Sequence, residues 1–135
     1  MTHFGLICPA SPGHLNTMLP LGKELQRRGH RVTMVSLLDA REKALGAGLE
    51  FRGINEEKYP LGSSAELLET LGKLSGMEAV KFTTKLIGEG AEALLRQLPQ
   101  ALKELGVEAL LVDQASPGAG TVADFLGIPF VSICS

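Results

Sequence analysis

Hydrophobic and polar residues follow one another along the chain in blocks that predict a repeated strand-then-helix order. Short apolar runs rich in β-branched residues predict strands, and longer stretches with apolar residues three or four positions apart predict the helices between them. The predicted strands cover residues 3–8, 31–37, 49–54, 107–113 and 129–133. This alternation indicates an α/β domain, a three-layer sandwich around a parallel sheet, with the expected strand order 3-2-1-4-5.

Capping and breaking residues suggest where the helices begin and end. Two starts are open for the first helix: Ser11 as the cap with Pro12 at the first helical position, or Asn16 as the cap one turn later. Ser64 is predicted to cap the helix that follows the third strand and a loop. The longest predicted helix, from about residue 77 to 105, is expected to break or kink at Pro99.

Leucines at helical spacing mark one further apolar face. Residues 67, 68, 71 and 74 are all leucine, three or four positions apart for the most part. A stripe of this kind is far more often part of a hydrophobic core than a lipid-binding surface. We therefore expect these leucines to be buried.

Composition and charge exclude several classes of protein. The 135 residues fit one domain, and thirteen basic against fifteen acidic side chains give no sign of a nucleic-acid surface. No transmembrane segment or leader is expected, since two prolines interrupt the first apolar run, and the chain is expected to be cytoplasmic. Cys8 and Cys134 lie outside any Cys-x-x-Cys spacing and would be separated by the fourth strand, which argues against a zinc site or a disulfide.

The junction between the first strand and the first helix carries the first candidate for chemistry. The apolar run that ends near Ile7 meets two prolines and a glycine, and His14 follows at the start of the helix. Ligands of open α/β sheets bind at the carboxyl ends of the strands, so a histidine there is a functional candidate, although capping or packing histidines are common. Asp39, after the second strand, resembles the acidic residue that binds ribose in dinucleotide folds, but the Gly-x-Gly-x-x-Gly pattern is missing.

Two segments together carry a family resemblance. One reads Pro12-Gly13-His14-Leu15-Asn16 and is followed by an amphipathic helix and by Gly29-His30-Arg31-Val32-Thr33. The other reads Leu111-Val112-Asp113 and is followed by Ala123-Asp124-Phe125-Leu126-Gly127-Ile128-Pro129. In this order they resemble the amino-terminal half of the UDP-glycosyltransferase family, which has the GT-B fold, and within it the macrolide and zeaxanthin glucosyltransferases.

The resemblance implies a Rossmann-like, acceptor-binding domain over residues 1–135, which would be incomplete. A separate carboxyl-terminal domain would bind the UDP-sugar, because the His/Gly-rich donor motif has no counterpart in this chain. The expected partners are a small, lipophilic acceptor with a hydroxyl group, a UDP-sugar, and a donor-binding domain or chain. No cofactor and no metal are expected, the isolated chain is expected to be inactive, and apolar surface beside the last strand could favour self-association.

The resemblance also assigns catalytic roles. Transfer of a sugar to a hydroxyl group, with inversion, needs a base, and His14 matches the family's catalytic histidine. A helix start disfavours an imidazolium ion, whereas a nearby carboxylate favours it and fixes the tautomer of the ring. Asp113 matches the family's catalytic aspartate, and the expected strand order makes its strand a neighbour of the first strand, about 4.8 Å away. The acceptor-binding residues that the resemblance implies are Ser11, Gly13, Asn16, Tyr59 and Phe82.

Two other functions stay open at this point. The chain could be a non-catalytic subunit that pairs with a separate donor-binding chain. It could also be a stand-alone, nucleotide-binding Rossmann-like module, but that function needs a loop after the first strand that cradles phosphate. Two prolines and one glycine supply few free backbone N–H groups there.

Overall fold

The computed structural model describes residues 1–135 and contains a five-stranded parallel sheet in the order β3-β2-β1-β4-β5. The strands are β1 (His3–Ile7), β2 (Arg31–Ser36), β3 (Glu50–Gly53), β4 (Ala109–Asp113) and β5 (Phe130–Ile133). All neighbouring strands pair in parallel. The predicted fold class and strand order are therefore confirmed, and each predicted strand exists with ends shifted by at most two residues.

Five α-helices and one short 3₁₀ helix connect the strands. The α-helices are α1 (Pro12–Arg27), α2 (Arg41–Gly46), α3 (Ser63–Gly72), α4 (Gly76–Leu105) and α5 (Ala119–Leu126), and the 3₁₀ turn is Leu38–Ala40. Ser11 has extended backbone angles and Pro12 occupies the first helical position of α1, so the alternative start at Asn16 is wrong. Gly29, at φ +90°, follows the end of this helix, where a left-handed residue is favoured.

Helices cover both faces of the sheet and bury two apolar clusters. On one face Leu15 and Met18 of α1 pack with residues of β1 and β2. On the other face Leu98 and Leu102 of α4 pack with β4 and with α5. Gly22 allows α1 to approach the sheet, because a Cβ atom there would lie 2.8 Å from a methyl carbon of Leu49. Burial on both faces explains why the central strands are almost continuously apolar.

Pro99 does not break its helix, and the predicted cap at Ser64 is wrong. Pro99 lies inside α4, which continues to Leu105, because the buried face around Leu98 and Leu102 outweighs the loss of one backbone hydrogen bond. Ser64 lies within α3 and does not cap it, since the residue before the helix is Gly62, in the left-handed region at φ +97°.

The leucine stripe of α3 is not part of the core. No residue of α3 is buried, and Leu68 is 54% exposed. Helix α3 packs against α4 rather than against the sheet, and three of its leucines (Leu67, Leu68 and Leu71) line a cavity instead. The expectation of burial was wrong because spacing reveals an apolar face but does not tell whether protein or open space lies against it.

The β5 edge of the sheet leaves apolar side chains uncovered. Phe125 is 78% exposed and Val131 is 61% exposed. Both cysteines are free, Cys8 buried and Cys134 exposed, in agreement with the expected absence of a disulfide between them. None of the helices combines the length and the apolar character that crossing a membrane would require.

Candidate active site

The carboxyl edge of the sheet brings His14 and Asp113 into direct contact. Nδ1 of His14 lies 2.9 Å from Oδ2 of Asp113, although 99 positions separate the two residues along the chain. Ile7, the last residue of β1, is the register partner of Val112 in β4. Asp113 ends β4 beside the loop that leads to His14, so the pairing of the two strands is what joins them.

Asp113 is held rigidly and away from solvent. Its side chain is 0% exposed, and its second oxygen, Oδ1, accepts a hydrogen bond of 2.8 Å from the backbone N–H of Ala115. Its backbone carbonyl accepts a second bond, of 2.9 Å, from the N–H of Ser116. The carboxyl group therefore has a defined partner at each oxygen, one of which is the imidazole.

His14 is more open, with 31% of its side chain exposed. Its Nδ1 also lies 2.9 Å from Oγ of Ser135. A carboxylate can only accept hydrogen bonds, so Asp113 assigns the ring hydrogen to Nδ1 and the lone pair to Nε2. Nε2 has no hydrogen-bond partner in the protein. The ring can therefore accept a proton from a group that approaches Nε2.

Cys8 lies next to this pair but is unsuited to nucleophilic chemistry. Its thiol donates to the carbonyl oxygen of Pro9 at 3.2 Å. Burial first, and the negative charge of Asp113 second, raise the pKa of Cys8 to about 12. A thiolate would be the reactive form, so Cys8 remains an inert thiol at neutral pH.

A cavity of about 440 Å³ opens beside His14, and fifteen of the twenty-five residues that line it are hydrophobic. This volume falls within the range of small-molecule sites. Part of the polar wall lies at or beside the loops after β1 and β4, with Ser11, His14 and Ser116, and the other polar lining residues are Ser36, Asn55, Ser64 and Thr83. Helices α3 and α4 contribute the apolar part, with Leu67, Leu68, Leu71, Leu86, Ile87 and Leu94.

The structure brings together some of the residues implied by the resemblance and leaves others apart. Ser11 and Tyr59 line the same cavity as His14. Gly13 and Asn16 are exposed and do not line it, and Phe82 is half-buried and does not line it either. The cavity-facing residues of α4 are spaced three or four apart, at 83, 86, 87, 90, 93 and 94. Phe82 lies four positions before Leu86, close to this stripe, but its side chain is not among those that line the cavity.

Tyr59 contributes its ring to the cavity while its hydroxyl group is occupied. The hydroxyl donates to Oε2 of Glu89 on α4 at 2.7 Å, and Nζ of Lys58 lies 3.2 Å from the same oxygen. Burial, together with this bond to Glu89, raises the pKa of Tyr59 to about 12. Tyr59 therefore stays neutral and connects the loop to α4 across the cavity.

The loop between β3 and α3 is also fastened at both ends. The backbone N–H of Asn55 donates to Oε1 of Gln97 at 2.7 Å, and the N–H groups of Gly62 and Ser64 donate to the carboxylate of Asp39 at 2.6 and 2.7 Å. Burial raises the pKa of Asp39, but these backbone hydrogen bonds outweigh it, and the net shift is downward. Both carboxylate oxygens of Asp39 accept hydrogen bonds at the start of α3. Asp39 therefore has a structural role in this protein, in place of the ribose binding that its position after the second strand suggested.

Sequence reasoning missed Glu89, which bonds Tyr59, Ser116, which follows Asp113, and Ser135, whose hydroxyl lies beside His14. Glu89 carries no signal of its own in the sequence, because it lies in a helix with several other charged residues. Ser116 could have been found, because it follows Asp113 by three residues in a loop at the carboxyl edge of the sheet, where functional side chains concentrate.

Comparison with known proteins identifies several relatives, although no protein-family model matches the chain. The chain is 31% identical over 133 residues to a zeaxanthin glucosyltransferase of Pantoea ananas. This alignment covers 98% of this chain and 31% of the relative. It is 29% identical to a zeaxanthin glucosyltransferase of Pseudescherichia vulneris, over 98% of this chain and 31% of the relative. A 4'-demethylrebeccamycin synthase of Lentzea aerocolonigenes is 27% identical over 91% of this chain and 30% of its own length.

Solved structures with the same fold are glycosyltransferases. The Streptomyces sp. SF2575 glycosyltransferase SsfS6 superposes with a TM-score of 0.75 and 19% identity, over 98% of this chain and 39% of the other. The calicheamicin glycosyltransferase CalG4 gives 0.72 and 22%, over 98% and 32%.

The chain thus spans about a third of the length of the curated relatives it matches. Nearly all of it aligns, and the fold is that of one Rossmann-like part of a GT-B glycosyltransferase. The resemblance seen in the sequence is therefore confirmed: over nearly its whole length the chain is similar to relatives named zeaxanthin glucosyltransferase.

Proposed function

We propose that this chain is the acceptor-binding and general-base part of an inverting glycosyltransferase. The enzyme would transfer a sugar from a UDP-sugar to a hydroxyl group of a small, apolar acceptor. One observation carries the proposal: the contact of 2.9 Å between His14 and the buried Asp113, on the wall of a mostly apolar cavity.

The proposed step is a single displacement. The acceptor hydroxyl donates its hydrogen to Nε2 of His14 while its oxygen attacks the anomeric carbon of the sugar. The bond between that carbon and the phosphate oxygen breaks, and the nucleoside diphosphate leaves with the electron pair. The proton ends on Nε2, and Asp113 stabilises the imidazolium ion without itself becoming protonated. Attack opposite the leaving group inverts the anomeric centre.

The cavity supports an apolar acceptor. Polar side chains are a minority of its lining, and leucines of α3 and α4 make up much of the apolar part. This is the usual construction of a site that binds an apolar body and orients one polar end. Two relatives carry the name zeaxanthin glucosyltransferase, and zeaxanthin is a long apolar molecule with terminal hydroxyl groups. It is therefore the acceptor we would test first.

The donor would be bound mainly outside this chain. The relatives are about three times as long as the aligned region. SsfS6 and the spinosyn rhamnosyltransferase SpnG have both been solved with thymidine diphosphate. We propose that a second domain, in the same polypeptide or in a partner chain, holds the nucleotide and stabilises its diphosphate, with no added cofactor.

The test is a transfer assay with the complete enzyme, which includes the donor-binding part. UDP-glucose and zeaxanthin in detergent micelles should give zeaxanthin glucosides, detected by mass spectrometry, and TDP-glucose is the donor control. The α-linked donor should give a β-linked product, read from the proton coupling at the anomeric carbon. An α-linked product would contradict the inverting mechanism, and no transfer from either donor would contradict the proposed function.

A further inference from the structure

One hydroxyl group near His14 lacks a partner in the protein. Ser116 is only 7% exposed, and its Oγ makes no hydrogen bond. No side-chain nitrogen or oxygen atom is both sealed from solvent and without a partner. The Ser116 hydroxyl must therefore open onto accessible space, and Ser116 lines the cavity beside His14. Such a group in an apolar wall is a binding position for a polar atom of a ligand.

The backbone fixes Ser116 relative to the catalytic pair. Its N–H donates to the carbonyl oxygen of Asp113 at 2.9 Å, and its own carbonyl accepts from Ala119 at 3.3 Å at the start of α5. Asp113 in turn holds His14. Ser116 and His14 are therefore positioned by the same residue, and their relative placement does not depend on a mobile loop.

Ser11 supplies a second free hydroxyl from the loop after β1. It precedes α1 but makes no capping bond with its side chain, and it lines the same cavity. Ser36 also lines the cavity, but its hydroxyl donates to the carbonyl oxygen of Cys8 at 2.6 Å and is unavailable. Ser11 lies directly before α1, the helix that carries His14, and Ser116 lies on the loop that follows Asp113. Ser11 and Ser116 therefore keep free hydroxyl groups for a ligand, whereas the hydroxyl group of Ser36 is bonded within the protein.

We propose that Ser116 binds the reacting hydroxyl of the acceptor, with Ser11 as an auxiliary donor. This inference rests on the proposed function and deepens it. The Ser116 hydroxyl donates to the acceptor oxygen, whose own hydrogen points to Nε2 of His14. One lone pair of that oxygen then remains for attack on the anomeric carbon. Ser116 selects acceptors that present a hydroxyl group at this position and orients them for transfer.

The experiment compares an acceptor with an analogue that lacks the hydroxyl group. The complete enzyme is assayed with UDP-glucose and zeaxanthin, and β-carotene, the same skeleton without hydroxyl groups, is used as a competitive inhibitor. In Ser116→Ala we expect kcat/KM for zeaxanthin to fall about tenfold to a hundredfold, as for loss of a bond in a desolvated site. The inhibition constant of β-carotene should stay within about twofold of wild type, because β-carotene makes no bond to Ser116.

Ser36→Ala is the matched control, a serine on the same wall whose hydroxyl is already bonded. In Ser36→Ala, the ratio of kcat/KM for zeaxanthin to the affinity for β-carotene should equal the same ratio in the wild type. An unchanged ratio in Ser116→Ala, with active wild type, overturns the inference alone. Weakening of both ligands together in Ser116→Ala also overturns it, because that result indicates a distorted cavity. If wild type transfers no sugar to zeaxanthin, the proposed function is overturned and the inference with it.

Discussion

Two histidines with acidic neighbours lie at opposite ends of β1, and they are built in opposite ways. His3 begins the strand, is buried, and its Nε2 lies 2.8 Å from Oγ1 of Thr33 and 3.7 Å from the carboxylate of Glu50. Its side chain is 6% exposed, whereas that of Glu50 is 47% exposed. At the other end, the His14 side chain is 31% exposed and that of Asp113 is 0% exposed. In the pair of His3 and Glu50 the histidine is the buried partner, whereas in the pair of His14 and Asp113 the acid is the buried partner.

This difference in burial indicates which of the two histidines can transfer protons. An imidazole with one nitrogen held by a buried acid and the other facing a cavity can exchange a proton with a ligand. A buried imidazole whose nitrogen bonds a threonine can only support the fold. Thr33 donates its own hydrogen to Glu50 at 2.9 Å, so its oxygen accepts the hydrogen of His3. Proximity of histidine and carboxylate is thus insufficient to identify a catalytic pair; burial of the acid and access to the base decide.

The largest effect should come from removing the exposed imidazole. In the complete enzyme, His14→Ala should lower kcat for sugar transfer by about a thousandfold, within the usual range for a general base. Stability should fall as well, because the buried Asp113 carboxylate loses its partner at Oδ2, so kcat is compared per folded molecule. Steady-state kinetics check this, with His3→Ala as the matched control that should keep kcat per folded molecule. A His14 variant with kcat within about tenfold of wild type would contradict the assignment.

Removing the buried acid should cost activity too, but less. Asp113→Ala should lower kcat less than His14→Ala does, because the imidazole base is still present and loses only its orientation and its stabilising charge. Asp113→Asn should lose activity similarly yet melt at a higher temperature than Asp113→Ala, since the asparagine oxygen can still accept from the Ala115 N–H. Kinetics and thermal melting separate the two roles. Equal melting temperatures would show that the bond to Ala115 does not support the loop.

The buried histidine should matter for stability alone. His3→Ala removes a buried side chain and the hydrogen bond to Thr33, and should lower the free energy of unfolding by about 1–3 kcal/mol. Thr33→Val removes the same bond at nearly constant volume and should show a similar loss. Denaturant unfolding measures both variants. A drop in kcat of the folded His3 variant would contradict a purely structural role.

The smallest effect concerns the exposed acid. The hydrogen bonds from Arg31, at 2.7 and 2.9 Å, are the largest influence and lower the pKa of Glu50. A lowered pKa in the folded state stabilises the fold above the unfolded value of about 4.3, and this stabilisation is lost as the pH falls through the lower folded value. Glu50→Gln should therefore lose less stability than wild type between about pH 5 and pH 3. Melting temperatures across this range test it, with Glu57→Gln as an exposed control; identical acid profiles for wild type and Glu50→Gln would contradict the expectation.

Much of the fold could be predicted from the pattern of apolar residues. The strands that are buried on both faces have nearly continuous apolar runs, and the strand order follows from the regular connections of α/β sheets. That order by itself places Asp113 beside His14. The contact of 2.9 Å between them agrees with this placement. Their catalytic roles stay a prediction until the variants are measured.

The errors share one physical cause. The pattern predicts that the stripe on α3 is core and that Ser64 is a cap, and both predictions are wrong; of the break or kink predicted at Pro99, the break does not occur. In each position the outcome depends on what lies against the helix: an open cavity for α3, the carboxylate of Asp39 for the loop before it, and the sheet for α4. Local sequence carries none of this information.

Local periodicity and chain connectivity set the α/β class, the order of the parallel strands and the junction that carries His14, so these could be predicted from the sequence. The packed fold adds that Asp113 is buried while His14 stays accessible, that α3 borders a cavity, and that Ser116 rather than Ser36 has a free hydroxyl. Burial and hydrogen-bond satisfaction depend on atoms brought from distant parts of the chain. They are properties of the packed molecule, and they determine which polar groups remain available for chemistry.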